Sequence, residues 1–248
     1  MTATMRMGTW NIREGIGVAD NLCKSKEIGR ILDDVRLDIL ALQEVPFDRF
    51  SRSDIISIIT AETDLQHAEV FPLSPAIYYP HGRSGLVVMG RSPLQTISRF
   101  LFPNPMLTCD VAGQKMVSWD KGMLVVRVGE AMPPLHVASL HGFPLRRFGR
   151  EADDPEFGGI WTALADHLDE LPGTAVVSGD FNTDRPDLVS SRMSAHRMRP
   201  VINGAGHTRD EILCDVSVRS SGLTVIPTFS DHPLFVADLL LGADPLWR

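Results

Sequence analysis

Cysteine is scarce in this chain of 248 residues: Cys23, Cys109 and Cys214 are three in number and widely spaced. Separated thiols of this kind make neither a disulfide framework nor a CxxC zinc pattern, so a reducing cytoplasm is the expected compartment. Long apolar runs are missing too. Residues Met1 to Met7 lack the continuous apolar stretch of a secretory signal. Later runs fall short of the ~20 residues that a membrane helix needs, and a soluble protein with no transmembrane segment is expected. Positive charge is not in excess, since 24 Lys and Arg face 31 Asp and Glu for a formal net charge of -7. That argues against a broad basic surface gripping long nucleic acid, but not against a local basic cleft. Internal repeats, low-complexity tracts and Gly/Ser linkers are also absent. Residues 1–248 therefore read as one domain, with 44% hydrophobic residues to fill its core.

What is present is an alternation of strand and helix. Met5 to Ile12 reads as a strand. Lys24 to Val35 reads as a helix, with Ile28, Ile31, Leu32 and Val35 at helical spacing, and Asp38 to Val45 as the next strand. Ser53 to Thr63 is expected to be a helix with Ser53 at its N-cap, although its isoleucines also suit a strand. From Ser84 to Ala138 the pattern changes to short strands separated by Gly and Pro turns: Gly85–Met89, Leu94–Phe102, Lys115–Trp119, Met123–Val128 and Leu135–Leu140. These should be mostly antiparallel. A helix follows over about Pro155 to Leu171, opened by Asp154-Pro155 and stopped by Pro172-Gly173. Thr174–Gly179 and Leu234–Leu241 complete the strands. Such a mixture predicts an α/β architecture of two sheets packed as a sandwich and covered by helices.

Polar residues recur where these strands end. Asn11 follows the first strand, Glu44 ends an apolar run, and His141 closes Val137-Ala138-Ser139-Leu140. Asp180 and Asn182 close the strand from Thr174, while Asp231 and His232 precede the last strand. Taken singly, each has an ordinary structural role as a turn, a cap or a surface charge. Taken together they form an inventory for metal-assisted phosphoester hydrolysis. Carboxylates hold a divalent cation, an amide donates to a phosphoryl oxygen, and Asp or His orients or deprotonates water. Arg13 lies two positions after Asn11, as a surface ion-pair former or a phosphate contact. The segment Phe143 to Arg150, with Arg146, Arg147 and two aromatics, is either a solvated loop or a receiver for a second phosphate or a base. His67, His81, His136, His167, His196 and His207 have no motif around them and read as structural or surface residues.

Five segments in order resemble the endonuclease/exonuclease/phosphatase family, the deoxyribonuclease I-like metal-dependent phosphoesterases. They are Trp10-Asn11, Leu42-Gln43-Glu44, Ser139-Leu140-His141, Gly179-Asp180-Phe181-Asn182 and Ser230-Asp231-His232. The resemblance implies a four-layer α/β sandwich with two central mixed sheets. It further implies Mg²⁺, or Mn²⁺, held by Glu44 with Asn11 and Asp231 close by. Asp180 would orient or activate water, and Asn182 would donate to the phosphate. His232 would act as general base or transition-state stabiliser, and His141 would protonate the leaving oxygen or bind the scissile phosphate. Asp210 is the expected carboxylate partner of His232, with Asp215 as its rival. The implied substrate is nucleic acid or a small phosphoester. Arg13, Arg146 and Arg147 incline the reading toward a nuclease. The alternatives are a phosphatase or phosphodiesterase on a phospholipid, phosphoinositide or other small ester, and a non-catalytic module that binds a phosphorylated ligand.

Overall fold

A computed structural model of the chain describes residues 3–111, 113–130, 134–194, 198–205 and 209–242. His196 and His207 lie outside the described residues. The first half runs β1 (Ala3–Asn11), α1 (Ser25–Val35), β2 (Ile39–Phe47), α2 (Asp54–Glu62), β3 (His67–Pro75), β4 (Arg83–Gly90), β5 (Leu94–Leu101), β6 (Thr108–Val111) and β7 (Gln114–Val117). The second half runs β8 (Gly122–Val128), β9 (Leu135–His141), α3 (Gly158–Asp169), β10 (Thr174–Asp180), α4 (Asp187–Ser190), β11 (Met198–Pro200), β12 (Asp210–Asp215), β13 (Arg219–Ile226) and β14 (Leu234–Leu241). Two six-stranded mixed sheets result, ordered β13-β14-β1-β2-β4-β3 and β11-β12-β10-β9-β8-β5, with β6-β7 as a separate hairpin.

Strand periodicity sorts the core into three layers. In β2 and β4, Ile39, Ala41, Leu86 and Val88 face the opposite sheet, where they meet Leu124, Val126, Val137 and Val176. The alternate residues Leu40, Leu42, Val87 and Met89 face outward and are covered by Ile28 and Leu32 of α1 and Ile55 and Ile59 of α2. The second sheet does the same, presenting Val125, Ala138 and Val177 to Trp161, Leu164 and Leu168 of α3. A period of two per strand with both faces buried gives helix, sheet, sheet, helix. The isoleucines that left Asp54–Glu62 ambiguous resolve as helix because packing against α1 buries Ile55 and Ile59 together. Ser53 stands at the N-cap position, but its hydroxyl makes no capping bond. The expected helix from Pro155 begins as a 3₁₀ turn, Pro155–Phe157, and ends at Asp169.

Strand direction decides where the chemistry gathers. β1 and β2 are parallel, as are β9 and β10, so their C-terminal ends point the same way within each sheet. β12 and β14 run antiparallel to these neighbours and contribute their N-terminal ends at the same edge. Asn11, Glu44, His141, Asp180, Asp210 and His232 therefore collect at one end of the sandwich. A buried polar bridge fixes the two sheets to each other just beneath: Gln43 Nε2 donates to Ser139 Oγ (3.0 Å), which donates to Leu42 O (2.9 Å).

Glu211 ties down the segment before β12. Its carboxylate accepts from the backbone amides of Val201, Ile202, Asn203 and Ile212 at 2.7 to 3.1 Å. Burial pushes its pKa up, against the lowering effect of those four amides. Glu211→Ala leaves buried donors without an acceptor and should cost about 3 kcal/mol, read as a drop in urea midpoint at unchanged m-value. A change within 0.5 kcal/mol would contradict this role.

Candidate active site

Asp180 is the hub. It ends β10 opposite His141 of β9 and Asp210 of β12 in register. Gly179 precedes it at φ +146°, where an added Cβ would lie 2.0 Å from Leu140 O, so only glycine lets the two strands close here. Asp180 Oδ2 accepts from Asn11 Nδ2 (3.1 Å) and Asn182 Nδ2 (3.2 Å), and Oδ1 accepts from the Asn182 amide (2.8 Å). The same Oδ2 lies 3.6 Å from His141 Nε2 and 3.8 Å from His232 Nε2. Burial and the neighbouring Asp210 push its pKa up to about 6, although His232 and the Asn182 amide pull the other way.

His232 is held from both sides. Its Nδ1 lies 2.7 Å from Asp210 Oδ2, which answers the choice of partner. Asp215, at the far end of β12, instead accepts from Ser217. Trp10 Nε1 and Thr228 Oγ1 both donate to the His232 carbonyl, and Ser230 Oγ donates to Asn11 O. Trp10-Asn11 and Ser230-Asp231-His232 are thus stitched together across the β1–β14 boundary. Burial alone would lower the imidazole pKa, but the Asp210 hydrogen bond and the charges of Asp180, Asp210 and Asp231 outweigh it and raise it to about 9.

Glu44 reaches the cavity through a backbone irregularity. The β2–β4 register shifts between Leu42 and Val45, and Glu44 has φ +54°. A bulge of this kind re-aims a side chain at the end of a strand. Glu44 Oε1 comes within 3.7 Å of His141 Nε2. Asp231 is exposed and lines the same cavity, along with Asn182, Arg13 and Arg147. Asn11 Oδ1 accepts from the Arg13 amide (3.1 Å), and Asn182 Nδ2 also donates to Gly142 O (3.0 Å). Both amides therefore orient Asp180.

Arg146 is not brought to the cavity: it pairs with Glu151 and Asp184 on the surface. Arg150 pairs with Glu156, leaving Arg147 as the arginine of that loop that lines the cavity. Conversely, Lys121 escaped the sequence reading. Its Nζ stands 2.9 Å from Nε2 and 3.1 Å from Nδ1 of His141. Burial lowers the Lys121 pKa against the pull of Glu44 and Asp180. Burial and then Lys121 drive that of His141 well below its usual value, so His141 is neutral. A signal existed: Lys121 directly precedes an apolar buried strand, just as Glu44 follows one. Glu14, Tyr78 and Trp119 were missed as well.

A sequence model of the endonuclease/exonuclease/phosphatase family matches residues 8–232, from the middle of β1 to His232. This chain belongs to that family. As a member it is a metal-dependent phosphoric ester hydrolase with the family's α/β sandwich. Solved structures agree on the fold. An endonuclease/exonuclease/phosphatase from Beutenbergia cavernae is 18% identical with a TM-score of 0.70, covering 98% of this chain and 73% of that one. The human Nocturnin catalytic domain, with bound sulfate, is 15% identical with a TM-score of 0.62, covering 96% and 97%. ANGEL2, a 2′,3′-cyclic phosphatase in complex with adenosine-2′,3′-vanadate, is 11% identical with a TM-score of 0.64, covering 98% and 97%. No curated protein sequence matches significantly.

The donor set fits the family's divalent metal. Glu44, Asp180 and Asp231 bring carboxylate oxygens to one cavity, and hard oxygen donors without a thiolate suit Mg²⁺ or Mn²⁺. Asp180, Asp210 and His232 also offer one donor atom each within 4.8 Å of one another. Among the described residues no helix is long and apolar enough to cross a membrane.

Proposed function

We propose that this chain hydrolyses phosphodiesters by in-line attack of water, taking a small phosphoester into a confined cavity. The observation that carries the reading is Asp180, ionised at neutral pH, set beside a His232 whose positive charge Asp210 sustains. Asp180 takes the proton of the attacking water as the new P–O bond forms. As the bond to the leaving oxygen breaks, His232 offsets charge on the phosphoryl oxygens, the neutral His141, with Lys121 against its ring, donates a hydrogen bond to the phosphate, and the departing oxygen takes its proton from solvent. Asn11 and Asn182 keep the Asp180 carboxylate aimed. Glu44 and Asp231, with Asn11 at the edge, would hold Mg²⁺ or Mn²⁺, which when bound polarises the phosphoryl group and offsets charge on the leaving oxygen.

Preference for a small ester over long nucleic acid comes from the arginines. Arg146 and Arg150 are paired with acids, and Arg13 Nη1 donates to Ile16 O and Gly17 O. A continuous basic track for a polyanion is therefore not supported. A nuclease remains the second reading, favoured by Arg147 and Arg13 at the cavity. The purified protein with Mg²⁺ should be offered bis-p-nitrophenyl phosphate, plasmid, single-stranded DNA, RNA, phosphoinositide and sphingomyelin. Turnover of small or lipid esters with intact plasmid is expected, whereas faster cutting of DNA or RNA would install the nuclease reading instead.

A further inference from the structure

The catalytic groups occupy only the floor of a cavity of about 350 Å³. Its walls are apolar and still exposed: Ile77 and Tyr78, from the β3–β4 connection, are 56% and 36% accessible, and Val117, which ends β7, and Trp119, between β7 and β8, are 46% and 37% accessible. A phosphate alone has no use for such walls, and an apolar patch left exposed around a polar site marks a place where a ligand binds.

One wall is fixed by an unusual turn. Arg13, Glu14 and Gly15 have φ of +49°, +55° and +73°, three consecutive left-handed residues of which two carry a Cβ. Left-handed backbone is costly for a residue that carries a Cβ, and strain of this sort persists where surrounding contacts enforce it. The turn aims both of its side chains at the same loop. The Glu14 carboxylate, only 1% exposed, accepts from the amides of Ile77 and Tyr78 through its two oxygens, each at 2.8 Å. The Arg13 guanidinium lies 4.9 Å from the centre of the Tyr78 ring.

From this arrangement we infer that Glu14 is a positioning residue that presents Ile77 and Tyr78 as one wall of a substrate subsite. With Trp119 as a further wall, that subsite receives a compact, flat aromatic group carried on the alcohol or phenol side of the phosphoester. The inference rests on the proposed hydrolysis for its phosphate end. Charge and shape agree on the occupant. Arg13, Lys121 and Arg147 receive the anion, while rings of Tyr78 and Trp119 accept a flat face. A volume of this size admits a single ring system with its phosphate and not a duplex. Glutamine at position 14 would keep one acceptor oxygen where two amides need one each, so Glu14→Gln loosens the wall without emptying the site.

The test measures binding, with Mg²⁺ present, of phosphonates whose C–P bond cannot be hydrolysed. Phenylphosphonate should bind wild type at least about tenfold more tightly than methylphosphonate, the gain expected when one ring is buried between aromatic side chains. In Tyr78→Ala, Trp119→Ala and Glu14→Gln that ratio should fall toward one while methylphosphonate affinity stays within twofold. Tyr78 and Trp119 are partly exposed, so their truncation leaves folding intact and the test readable. A 5′-phosphonate isostere of adenylate that matches phenylphosphonate would identify the ring as a nucleobase, and weaker binding would identify a simple aryl ester. A wild-type ratio near one, or a ratio that survives both Tyr78→Ala and Trp119→Ala, overturns the inference. A wild-type ratio near one with hydrolysis intact rejects the subsite alone, and a preserved ratio with no hydrolysis of any ester rejects the proposed function instead.

Discussion

Replacing His232 by alanine is expected to lower kcat for a phosphodiester about 1,000-fold with KM nearly unchanged, and Asp180→Asn should do the same. Positioned proton transfer and fixed charge at the phosphoryl oxygens are each worth about 10²–10⁴ in rate. The two side chains sit within 3.8 Å and serve one reaction step, so their effects should not multiply. The double variant is expected to be no more than about tenfold slower than either single variant, as happens when residues act as a unit. Steady-state kinetics on bis-p-nitrophenyl phosphate reads this directly. Retention of more than a tenth of wild-type turnover in either single variant would remove that residue from the chemistry.

Asp210→Asn carries the second large effect, and it shows in two separate measurements. Without the carboxylate against Nδ1, the imidazole loses its main source of raised basicity and a fixed orientation. Turnover should fall about 100-fold. Stability should change its pH dependence as well. His232 titrates near 9 in the folded protein against about 6.5 in an unfolded chain, so the folded state binds the proton more tightly. The resulting stabilisation is fully present below about pH 6.5 and is lost as pH rises through 9. It amounts to at most on the order of 3 kcal/mol. Asp180, near 6, titrates mostly below this window. Urea denaturation in chelator should therefore show wild type losing more stability than Asp210→Asn between pH 6.5 and 9. Parallel profiles for the two proteins would contradict the pair.

Much of this site was readable in the chain because strand ends are readable. Glu44, His141 and Asp180 each follow a short apolar run, and a run buried on both faces must deliver its next polar residue to an edge. The Asp210 partner was harder, since choosing it over Asp215 depends on which end of β12 lies beside the C-terminal end of β10. Edge strands were harder still. β3 is half-exposed and carries Pro72, and β13 is exposed along most of its length, so neither shows the apolar pattern that marked the inner strands. The place of Arg146 on the surface has little trace in sequence because one of its partners, Asp184, is 38 residues away. Glu14 was overlooked because its task, accepting two amides from residues more than sixty positions distant, leaves no local trace in sequence.

The central claim is that Glu44 seats the divalent ion on which hydrolysis depends. Its most direct test is the rate of bis-p-nitrophenyl phosphate hydrolysis against Mg²⁺ concentration for wild type and Glu44→Gln. Wild type should be inactive in chelator and recover with Mg²⁺ or Mn²⁺, and Glu44→Gln should need about 10–100-fold more metal to reach half of its own maximum, the range seen when metal-site groups are altered. Full turnover in chelator, or the same metal dependence in both proteins, would contradict it.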